Sequence, residues 1–287
     1  MAEIWIDGAF RDGAGAIDAS DRGLLLGDGV FDTALVLGSR VFRRRAHLDR
    51  LEAALAALSI PVPLETLEGA MTALAERVGE GSIRLTVTRG RAARGLALPA
   101  DPRPTILGSQ APLAPGAFFA PLRLSLAEAR RNETSPLSRL KTLSYLDAIL
   151  ANDAARRAGA QEALFLNTQG RLACSALANV FVETPQGLAT PPLAEGALPG
   201  IMRALVRDIA PRLGLRVEER PVALAEALEA PLFLTNSLRL LAPAALDAAP
   251  NEPSSAMRAL TQALCEAARA ECGVDPREKR GRPQPTV

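Results

Sequence analysis

The stretch Ser138-Arg139-Leu140-Lys141-Thr142-Leu143-Ser144-Tyr145-Leu146-Asp147 contains one of the two lysines in this 287-residue sequence. The other, Lys279, lies in a polar, proline-broken stretch near the C-terminus, whereas lysine and arginine together number 33. Arginine keeps its proton at any working pH, but a desolvated lysine can lose its proton and attack a carbonyl carbon to form an imine. Lys141 is therefore a candidate nucleophile. The alternative is a surface lysine that escaped a strong compositional bias.

Tyr145, four residues after Lys141, is the only tyrosine of the sequence. It stands at the head of an apolar pattern with helical spacing, which predicts a helix from Tyr145 to Ala158 that Gly159 ends as a C-cap. A phenol at this position is expected to reach a group bound at Lys141.

Composition limits the class of protein. Hydrophobic residues make up 48% of the sequence, aromatic residues 3%, and the formal net charge is +1. These values predict a compact α/β or α+β protein with no nucleic-acid partner and no membrane partner, and a cytoplasmic enzyme is the default expectation. The three cysteines are odd in number and lack metal-ligand spacing, so neither disulfides nor a metal site is predicted.

The first part of the sequence predicts a small lobe with a β-rich start. Ile4-Trp5-Ile6 alternates with polar neighbours, and Asp7-Gly8 is a hairpin-turn signal. A glycine-bracketed turn is expected over residues 23–29. Further predicted elements are a strand over 30–36, helices over 46–58 and 64–78, and a strand over 83–88.

The strand over 83–88 leads into Arg89-Gly90-Arg91-Ala92-Ala93-Arg94-Gly95. Three arginines and two glycines predict a flexible cationic loop, which suits a carboxylate ligand, although a solvated surface loop has the same composition. Proline-rich stretches then place a connection near residue 115. The sequence thus predicts a small N-terminal lobe over 1–115, a C-terminal lobe over 116–274 and a disordered tail over 275–287.

The second lobe carries a second candidate ligand site. Strands are predicted over 122–126, 163–166 and 232–234, and Pro199-Gly200 precedes a helix that begins at Ile201. The first amide groups of that helix have no partner within the helix, so they favour an anion. Thr235-Asn236-Ser237 ends the strand over 232–234 with further hydroxyl and amide groups.

An imine-forming lysine, a nearby phenol, an anion site and a carboxylate-binding loop together suit a phosphate-bearing aldehyde cofactor that acts on an amino acid. Six segments of the sequence resemble the class IV aminotransferase family, which includes branched-chain and D-amino-acid aminotransferases and aminodeoxychorismate lyase. The resemblance implies an α+β fold, the fold type IV pyridoxal phosphate fold, with a small α/β lobe and a larger lobe with a β-barrel-like core. The segments cover residues 26–33, 47–51, 140–150, 178–181, 198–203 and 234–237.

The resemblance implies roles for individual residues and pyridoxal 5'-phosphate as cofactor. Lys141 is similar to the lysine that forms the imine with the cofactor and moves the proton of the substrate's α-carbon. His47 is expected to be a structural partner in its helix. The family also implies a homodimer with its active site near the subunit boundary and a small-molecule substrate with an amino group. The resemblance further implies that the phosphate is bound by Arg50, Ile201, Met202 and Ser237. It implies that Tyr145 bonds to the phenolic oxygen of the cofactor. Phe31 and Arg94 are implied to contact the substrate.

Cys174 departs from the family pattern. Members of the family place a glutamate five residues before the asparagine of their Asn-aliphatic-Phe motif, here Asn179, and this glutamate pairs with the pyridine nitrogen. A thiol is a weak donor whose pKa, ordinarily about 8.5, rises in apolar surroundings, so the ring is expected to be a weaker electron sink. The alternatives are that the family motif aligns with this sequence one residue away from Cys174, or that a neighbouring group takes over the role of the glutamate.

The departure favours one reaction. Transamination depends strongly on the electron sink, whereas lysis of aminodeoxychorismate to 4-aminobenzoate and pyruvate, a step of folate biosynthesis, is driven by aromatisation. The patterns Thr88-Arg89-Gly90, Arg94-Gly95 and 235–238 also resemble the lyase branch. An amino-acid aminotransferase with a 2-oxo acid acceptor and a catalytically silent, ligand-binding member are the alternatives.

Overall fold

The computed structural model describes residues 3–113, 116, 118–250 and 252–279. The chain divides into two compact units. The first comprises Met1–Ala114, Lys141–Ser144 and Glu271–Val274, and the second comprises Pro115–Leu140, Tyr145–Ala270 and Asp275–Val287. The first unit thus contains two short stretches that the sequence placed in the C-terminal lobe, one of which carries Lys141. Within the described residues, no helix combines the length and the apolar character that a bilayer crossing requires.

The first unit is built on a six-stranded sheet of order β2-β1-β6-β5-β3-β4. Asp7 and Gly8 join the first two strands with positive φ angles of 43° and 103°, as their turn signal predicts. Its elements are β1 (Glu3–Ile6), β2 (Ala9–Asp12), α1 (Arg22–Leu26), β3 (Gly29–Leu37), β4 (Arg40–Val41), α2 (Arg44–Ala57), α3 (Leu64–Val78), β5 (Gly81–Thr88) and β6 (Thr105–Pro112).

Helices α2 and α3 pack on the strands β3, β5 and β6. Leu48, Leu51 and Leu55 of α2 are buried, so the apolar spacing of three and four residues forms the packed face of this helix. The glycine-bracketed stretch before β3 contains α1 instead of a simple turn, because the Asp21 side chain accepts a hydrogen bond from the Gly23 amide and caps the helix.

The second unit is built on an eight-stranded sheet of order β12-β11-β10-β13-β14-β7-β8-β9. Its elements are β7 (Leu122–Leu126), α4 (Leu146–Arg157), β8 (Glu162–Leu166), β9 (Leu172–Ser175), β10 (Asn179–Thr184), β11 (Gly187–Thr190), α5 (Ile201–Ile209), β12 (Arg216–Glu219), α6 (Leu224–Glu229), β13 (Leu232–Thr235), β14 (Ala242–Leu246) and α7 (Ser255–Cys272), whose last two residues belong to the first unit.

This second sheet is strongly curled. Strand β9 lies at one end of the strand order, yet only residues 176–178 separate it from β10, the third strand from the other end. The Ser175 amide donates to the Ala178 carbonyl at 2.9 Å and closes that turn. Because a short turn joins two distant positions in the order, the sheet must curve back on itself, and it encloses a core of leucine, valine and alanine side chains.

The first residues of the predicted disordered tail, 275–279, are ordered in the structure. Residues Pro276–Lys279 form a 3₁₀ turn, and Asp275 is buried. The Asp275 carboxylate accepts hydrogen bonds from the backbone amide of Arg277 at 2.9 Å and from its guanidinium, which holds these residues in place. The rest of the predicted tail, residues 280–287, lies outside the described residues.

Candidate active site

Lys141 is fixed by its backbone to the edge of β3. The Phe31 amide donates to the Lys141 carbonyl at 2.9 Å, and the Leu143 amide donates to the Gly29 carbonyl at 3.1 Å. This edge is open to pairing because β4 occupies it only at Val36 and Leu37. The half-buried lysine therefore has a defined place on the sheet of the first unit.

Glycine at position 29 permits this close packing. A Cβ atom on Gly29 would lie 2.4 Å from the Val87 carbonyl oxygen and 3.0 Å from the Leu143 side chain. Any larger residue would force β3 away from β5 or from the segment that carries Lys141. The glycine in the motif Gly27-Asp28-Gly29 thus has a packing reason.

The ring of Phe31 contacts two cations. The Lys141 Nζ atom lies 4.4 Å from the ring centroid and the Arg84 guanidinium carbon 3.6 Å from it. Both distances are in the range of cation–π attraction. Arg84 was not among the predicted site residues. The strand register reveals it, because Arg84 pairs with Thr33, which shares a sheet face with Phe31.

Arg50 and His47 of α2 converge on the buried carboxylate of Asp32. The Arg50 Nε atom donates to Oδ2 at 2.9 Å and its Nη2 atom to Oδ1 at 3.0 Å, while His47 Nδ1 and Oδ1 lie 2.6 Å apart. Burial alone would raise the pKa of Asp32, but Arg50 and His47 hold that pKa below its usual value. His47 therefore bonds to a structural carboxylate, and Arg50 is oriented by the same group, which the sequence analysis did not identify.

The arginines after β5 have different environments. Arg94 is exposed, whereas Arg89 is 3% exposed and donates to the carbonyl oxygens of Leu58 at 2.7 Å and Ser59 at 3.1 Å. The expectation that all three arginines belong to a flexible cationic loop is therefore wrong for Arg89, whose charge lies inside the unit. Arg94 remains available for a carboxylate ligand.

In the second unit, α5 begins with a geometry that suits an anion. Gly200 is its N-cap residue, and no side chain of the described residues caps the helix. The Asn179 amide nitrogen donates to the Leu198 carbonyl at 2.8 Å and holds the preceding turn. A Cβ atom on Gly200 would lie 1.8 Å from Asn179 Oδ1, so this position requires glycine. The first amides of the helix, at Ile201 and Met202, are thus left for a ligand.

Thr235 adds a polar group near this helix start. It pairs with Asn179 between β13 and β10, so the two side chains share a face of the sheet. Its hydroxyl oxygen is buried and, within the described part of the chain, has no hydrogen-bond partner. A buried hydroxyl without a partner is costly unless a ligand satisfies it, so the residues present fit a phosphate group. Ser237 is half-buried in the turn that follows β13.

Cys174 lies in β9 opposite Phe165 and is 8% exposed. Burial raises the pKa of its thiol above the usual value, the charge of Arg131 opposes this rise and the charge of Glu162 adds to it. The thiol is therefore neutral at neutral pH.

Glu162 is an acidic residue whose charge acts on the Cys174 thiol, so it is a candidate to compensate for the missing glutamate. It is fully buried, and its carboxylate accepts hydrogen bonds from the Ser175 hydroxyl at 2.5 Å, from the Leu177 amide at 3.0 Å and from the Arg239 guanidinium. With these partners the carboxylate already has a structural function.

Tyr145 is half-buried and is the N-cap residue of α4. The predicted site residues thus fall into two groups. Phe31, Arg50, Arg94 and Lys141 belong to the first unit, and Tyr145, Cys174, Ile201, Met202 and Ser237 belong to the second.

Comparison with known proteins gives consistent matches over most of the chain. A family model described as amino-transferase class IV matches residues 29–246. A putative branched-chain-amino-acid aminotransferase of Methanocaldococcus jannaschii is 32% identical over 252 residues, covering 84% of this chain and 86% of that protein. An aminodeoxychorismate lyase of Bacillus subtilis is 27% identical over 248 residues, covering 84% of this chain and 85% of that protein.

A solved structure agrees with these sequence matches. The crystal structure of 4-amino-4-deoxychorismate lyase from Pseudomonas aeruginosa matches with a TM-score of 0.84 and 31% identity, and the match covers 92% of this chain and 98% of that one. The fold is therefore the expected fold type IV fold, with the curled sheet as its barrel-like core. Because the family model spans well over half of the sequence, this chain belongs to the class IV aminotransferase family of pyridoxal phosphate enzymes.

Proposed function

We propose that this protein is a cytoplasmic 4-amino-4-deoxychorismate lyase, which forms 4-aminobenzoate and pyruvate for folate biosynthesis. The observation that carries the proposal is the buried, neutral thiol of Cys174 at the position where the family has a glutamate. When bound, pyridoxal phosphate supplies a ring that takes up the electron pair released from the substrate. A neutral thiol holds the proton on the ring nitrogen less well than a carboxylate does, and the aromatisation that accompanies lysis tolerates this weaker sink.

The similarity to the Pseudomonas aeruginosa and Bacillus subtilis lyases supports this assignment. A second candidate is an amino-acid aminotransferase, which the Methanocaldococcus jannaschii relative favours. The two candidates make different products from different substrates, so one assay separates them.

The candidate site residues have proposed roles in binding the cofactor, transferring a proton and contacting the substrate. The amine of Lys141 would hold the cofactor as an imine and, once the substrate amine has displaced it, would be free to move a proton at the substrate. The Phe31 ring faces its Nζ atom. Arg50, oriented by Asp32, provides a charge-assisted donor to the phosphate. The amides of Ile201 and Met202 and the hydroxyls of Thr235 and Ser237 would also bind the phosphate. Tyr145 would bind the phenolic oxygen, and Cys174 would face the ring nitrogen. Phe31 and Arg94 would contact the substrate.

Exposed apolar residues support the proposal of a homodimer. On α4, Leu146 is 72% exposed, Ile149 58% and Leu150 66%, and their spacing places them on one helix face. Soluble monomers rarely expose such a contiguous apolar face, and a second copy of the chain is the partner that the family resemblance indicates.

A product assay tests the function. Purified holoenzyme is incubated with aminodeoxychorismate, or with L- and D-amino acids plus 2-oxoglutarate, and aminobenzoate and new keto acids are measured separately. Aminobenzoate formation at a rate well above keto-acid formation is the expected result. Keto-acid formation alone would instead establish the aminotransferase.

Borohydride reduction tests the position of the cofactor, because it fixes the cofactor to the amine that holds it. The label is expected on the tryptic peptide 140–156, since modified Lys141 resists cleavage. A Lys279→Arg variant should be labelled equally well, whereas a label at Lys279 would contradict the assignment.

A further inference from the structure

Arg22 is a buried cation that connects two parts of the first unit. It is the first residue of α1 and is 4% exposed. Its Nε atom donates to Asp28 Oδ2 at 2.7 Å, next to the start of β3. Its Nη1 atom donates to the carbonyl oxygens of Gly95 at 3.0 Å and Ala97 at 3.3 Å, in the loop that carries Arg94.

The Asp28 end of this connection is held by further hydrogen bonds. Asp28 Oδ2 also accepts a hydrogen bond from Arg89 Nε at 2.8 Å, and the Arg89 amide donates to the Asp28 carbonyl at 3.1 Å. Burial would raise the pKa of Asp28, but the hydrogen bonds from Arg89 and Arg22 hold that pKa below its usual value. The carboxylate thus stays ionised at neutral pH and anchors both guanidinium groups.

The base of the loop is closed by separate contacts. The Asp21 carboxylate accepts hydrogen bonds from the hydroxyls of Thr88 at 2.8 Å and Thr105 at 2.9 Å, at the ends of β5 and β6. Gly90 has a φ of 82°, and a Cβ atom there would lie 1.8 Å from the Arg103 carbonyl oxygen. These contacts align the two strand ends but do not reach the middle of the loop.

The middle of the loop lacks burial. Residues 93–98 are exposed, and Leu96 reaches 83%. An exposed segment has no apolar packing to offset the entropy lost on ordering it, so hydrogen bonds must define its path. Arg22 donates hydrogen bonds to the carbonyl oxygens of Gly95, the residue after Arg94, and of Ala97. These two bonds set the direction in which the chain leaves Arg94.

We propose that Arg22 is a positioning residue that presents Arg94 to the carboxylate of the substrate. The inference rests on the proposed function, in which Arg94 contacts that carboxylate. A loop that is already ordered before substrate arrives spares the binding step the cost of ordering it. Loss of the Arg22 contacts should therefore act mainly on KM and only weakly on kcat.

The test compares Arg22→Met, Arg22→Lys and the control Arg103→Met in the holoenzyme. Arg103 is an exposed arginine of the same loop, paired at 3.7 Å with exposed Asp101. Cleavage of the Arg94–Gly95 bond by trypsin measures loop order without any reference to activity. Arg22→Met should speed this cleavage and raise KM for the substrate found in the product assay by roughly tenfold. Arg22→Lys should bring both the cleavage rate and KM part of the way back to the parental values. Arg103→Met should have the cleavage rate and KM of the parent.

Each alternative outcome decides a separate point. Unchanged cleavage in both Arg22 variants, or faster cleavage with unchanged KM, overturns the inference and leaves the proposed function intact. If Arg22→Met does not fold, the same two readouts on Arg22→Lys decide. An Arg94→Ala variant with the KM of the parent overturns both the inference and the role of Arg94, but not the lyase reaction, which the product assay tests on its own.

Discussion

At the scale of single residues, Cys174 gives the sharpest test of the proposed reaction. If its thiol faces the ring nitrogen, Cys174→Glu should place an opposite charge there and raise the pKa of that nitrogen. Transamination should then increase relative to lysis. Cys174→Ser is the matched control, because it keeps the size of the side chain and adds no charge. The absorption spectrum and the ratio of keto acid to aminobenzoate are measured.

A larger buried carboxylate can also destabilise the strand, so the urea midpoint of each Cys174 variant has to be compared with that of the parent. If Cys174→Glu folds and binds cofactor yet retains the parental spectrum and product ratio, Cys174 does not face the nitrogen. The electronic argument for the lyase then fails.

Asp32 allows a pH prediction with a defined sign. Because Arg50 and His47 hold its pKa below the usual value, its contribution to stability is present above the unfolded pKa of about 3.9. The contribution is lost as pH falls through the lower pKa of the folded state. Asp32→Asn should lower the free energy of unfolding at pH 7 by about 3 kcal/mol, because it leaves the Arg50 guanidinium and the buried His47 ring without their carboxylate partner.

Urea unfolding of the parent and Asp32→Asn at pH 7 and pH 3 checks this prediction, and the difference between them should shrink at pH 3. The control is Asp49→Asn, which removes an exposed ion pair with Arg45 and should cost less than about 1 kcal/mol. A difference that grows toward acid pH would contradict the sign.

The residue scale also shows what the sequence can predict of a site. Lys141 stood out because lysine is rare here, and Arg50 and Arg94 because they follow family motifs. Arg84 needed the strand register and Asp32 needed the packing of α2 on β3, since their partners lie on other elements. Thr235 was visible only as part of a polar strand end, and its missing hydrogen bond is a property of the packed structure.

At the scale of elements, the start of α5 carries the prediction for the phosphate. Gly200→Ala would push a methyl group into Asn179 Oδ1 and displace the first turn of the helix. Cofactor affinity should fall by about tenfold, since hydrogen bonds to a charged group contribute about 1.5–3 kcal/mol. Titration of the apoprotein with pyridoxal phosphate measures this change.

Gly69→Ala is the control for this substitution. Gly69 lies within α3, and outside its own helix backbone no atom of the described residues lies within 4 Å of the added Cβ. Alanine should therefore stabilise the helix by up to about 1 kcal/mol and leave cofactor affinity unchanged. Equal affinities of Gly200→Ala and the parent would remove this helix start from the phosphate site.

Elements with strong local signals were predictable, and those that depend on remote contacts were not. The apolar spacing of α2 and α3 and the turn signal between β1 and β2 gave these elements close to their observed bounds. The sequence predicts a turn where the structure has α1, because five residues are too few for a periodic pattern and the cap at Asp21 is the deciding interaction.

At the scale of the whole molecule, the division of the chain into two units depends on backbone pairing between residues that are far apart in the sequence. Lys141–Ser144 belongs to the first unit because its backbone bonds to β3, more than a hundred residues earlier in the sequence. Glu271–Val274 joins the same unit, where the Glu271 side chain accepts a hydrogen bond from the Arg43 amide at 2.8 Å. A single boundary near residue 115 therefore describes the chain only in part.

The proposed homodimer gives the prediction at this scale. Leu150→Glu places a charge in the exposed apolar face of α4, where burial against a second copy would leave that charge unpaired. Sedimentation should show a dimer for the parent and a shift toward monomer for the variant. Leu228→Glu is the control, because Leu228 is 59% exposed on α6, outside the proposed interface.

Thermal unfolding verifies independently that the variants fold. Leu150 and Leu228 are both exposed, so a charged residue at either position should change the free energy of unfolding of the monomer by less than about 0.5 kcal/mol. Loss of the dimer should lower activity if the assembly completes the site, as the family resemblance implies. A parent protein that sediments as a monomer with full activity would refute the dimer. A variant that stays dimeric would place the interface elsewhere than on the apolar face of α4.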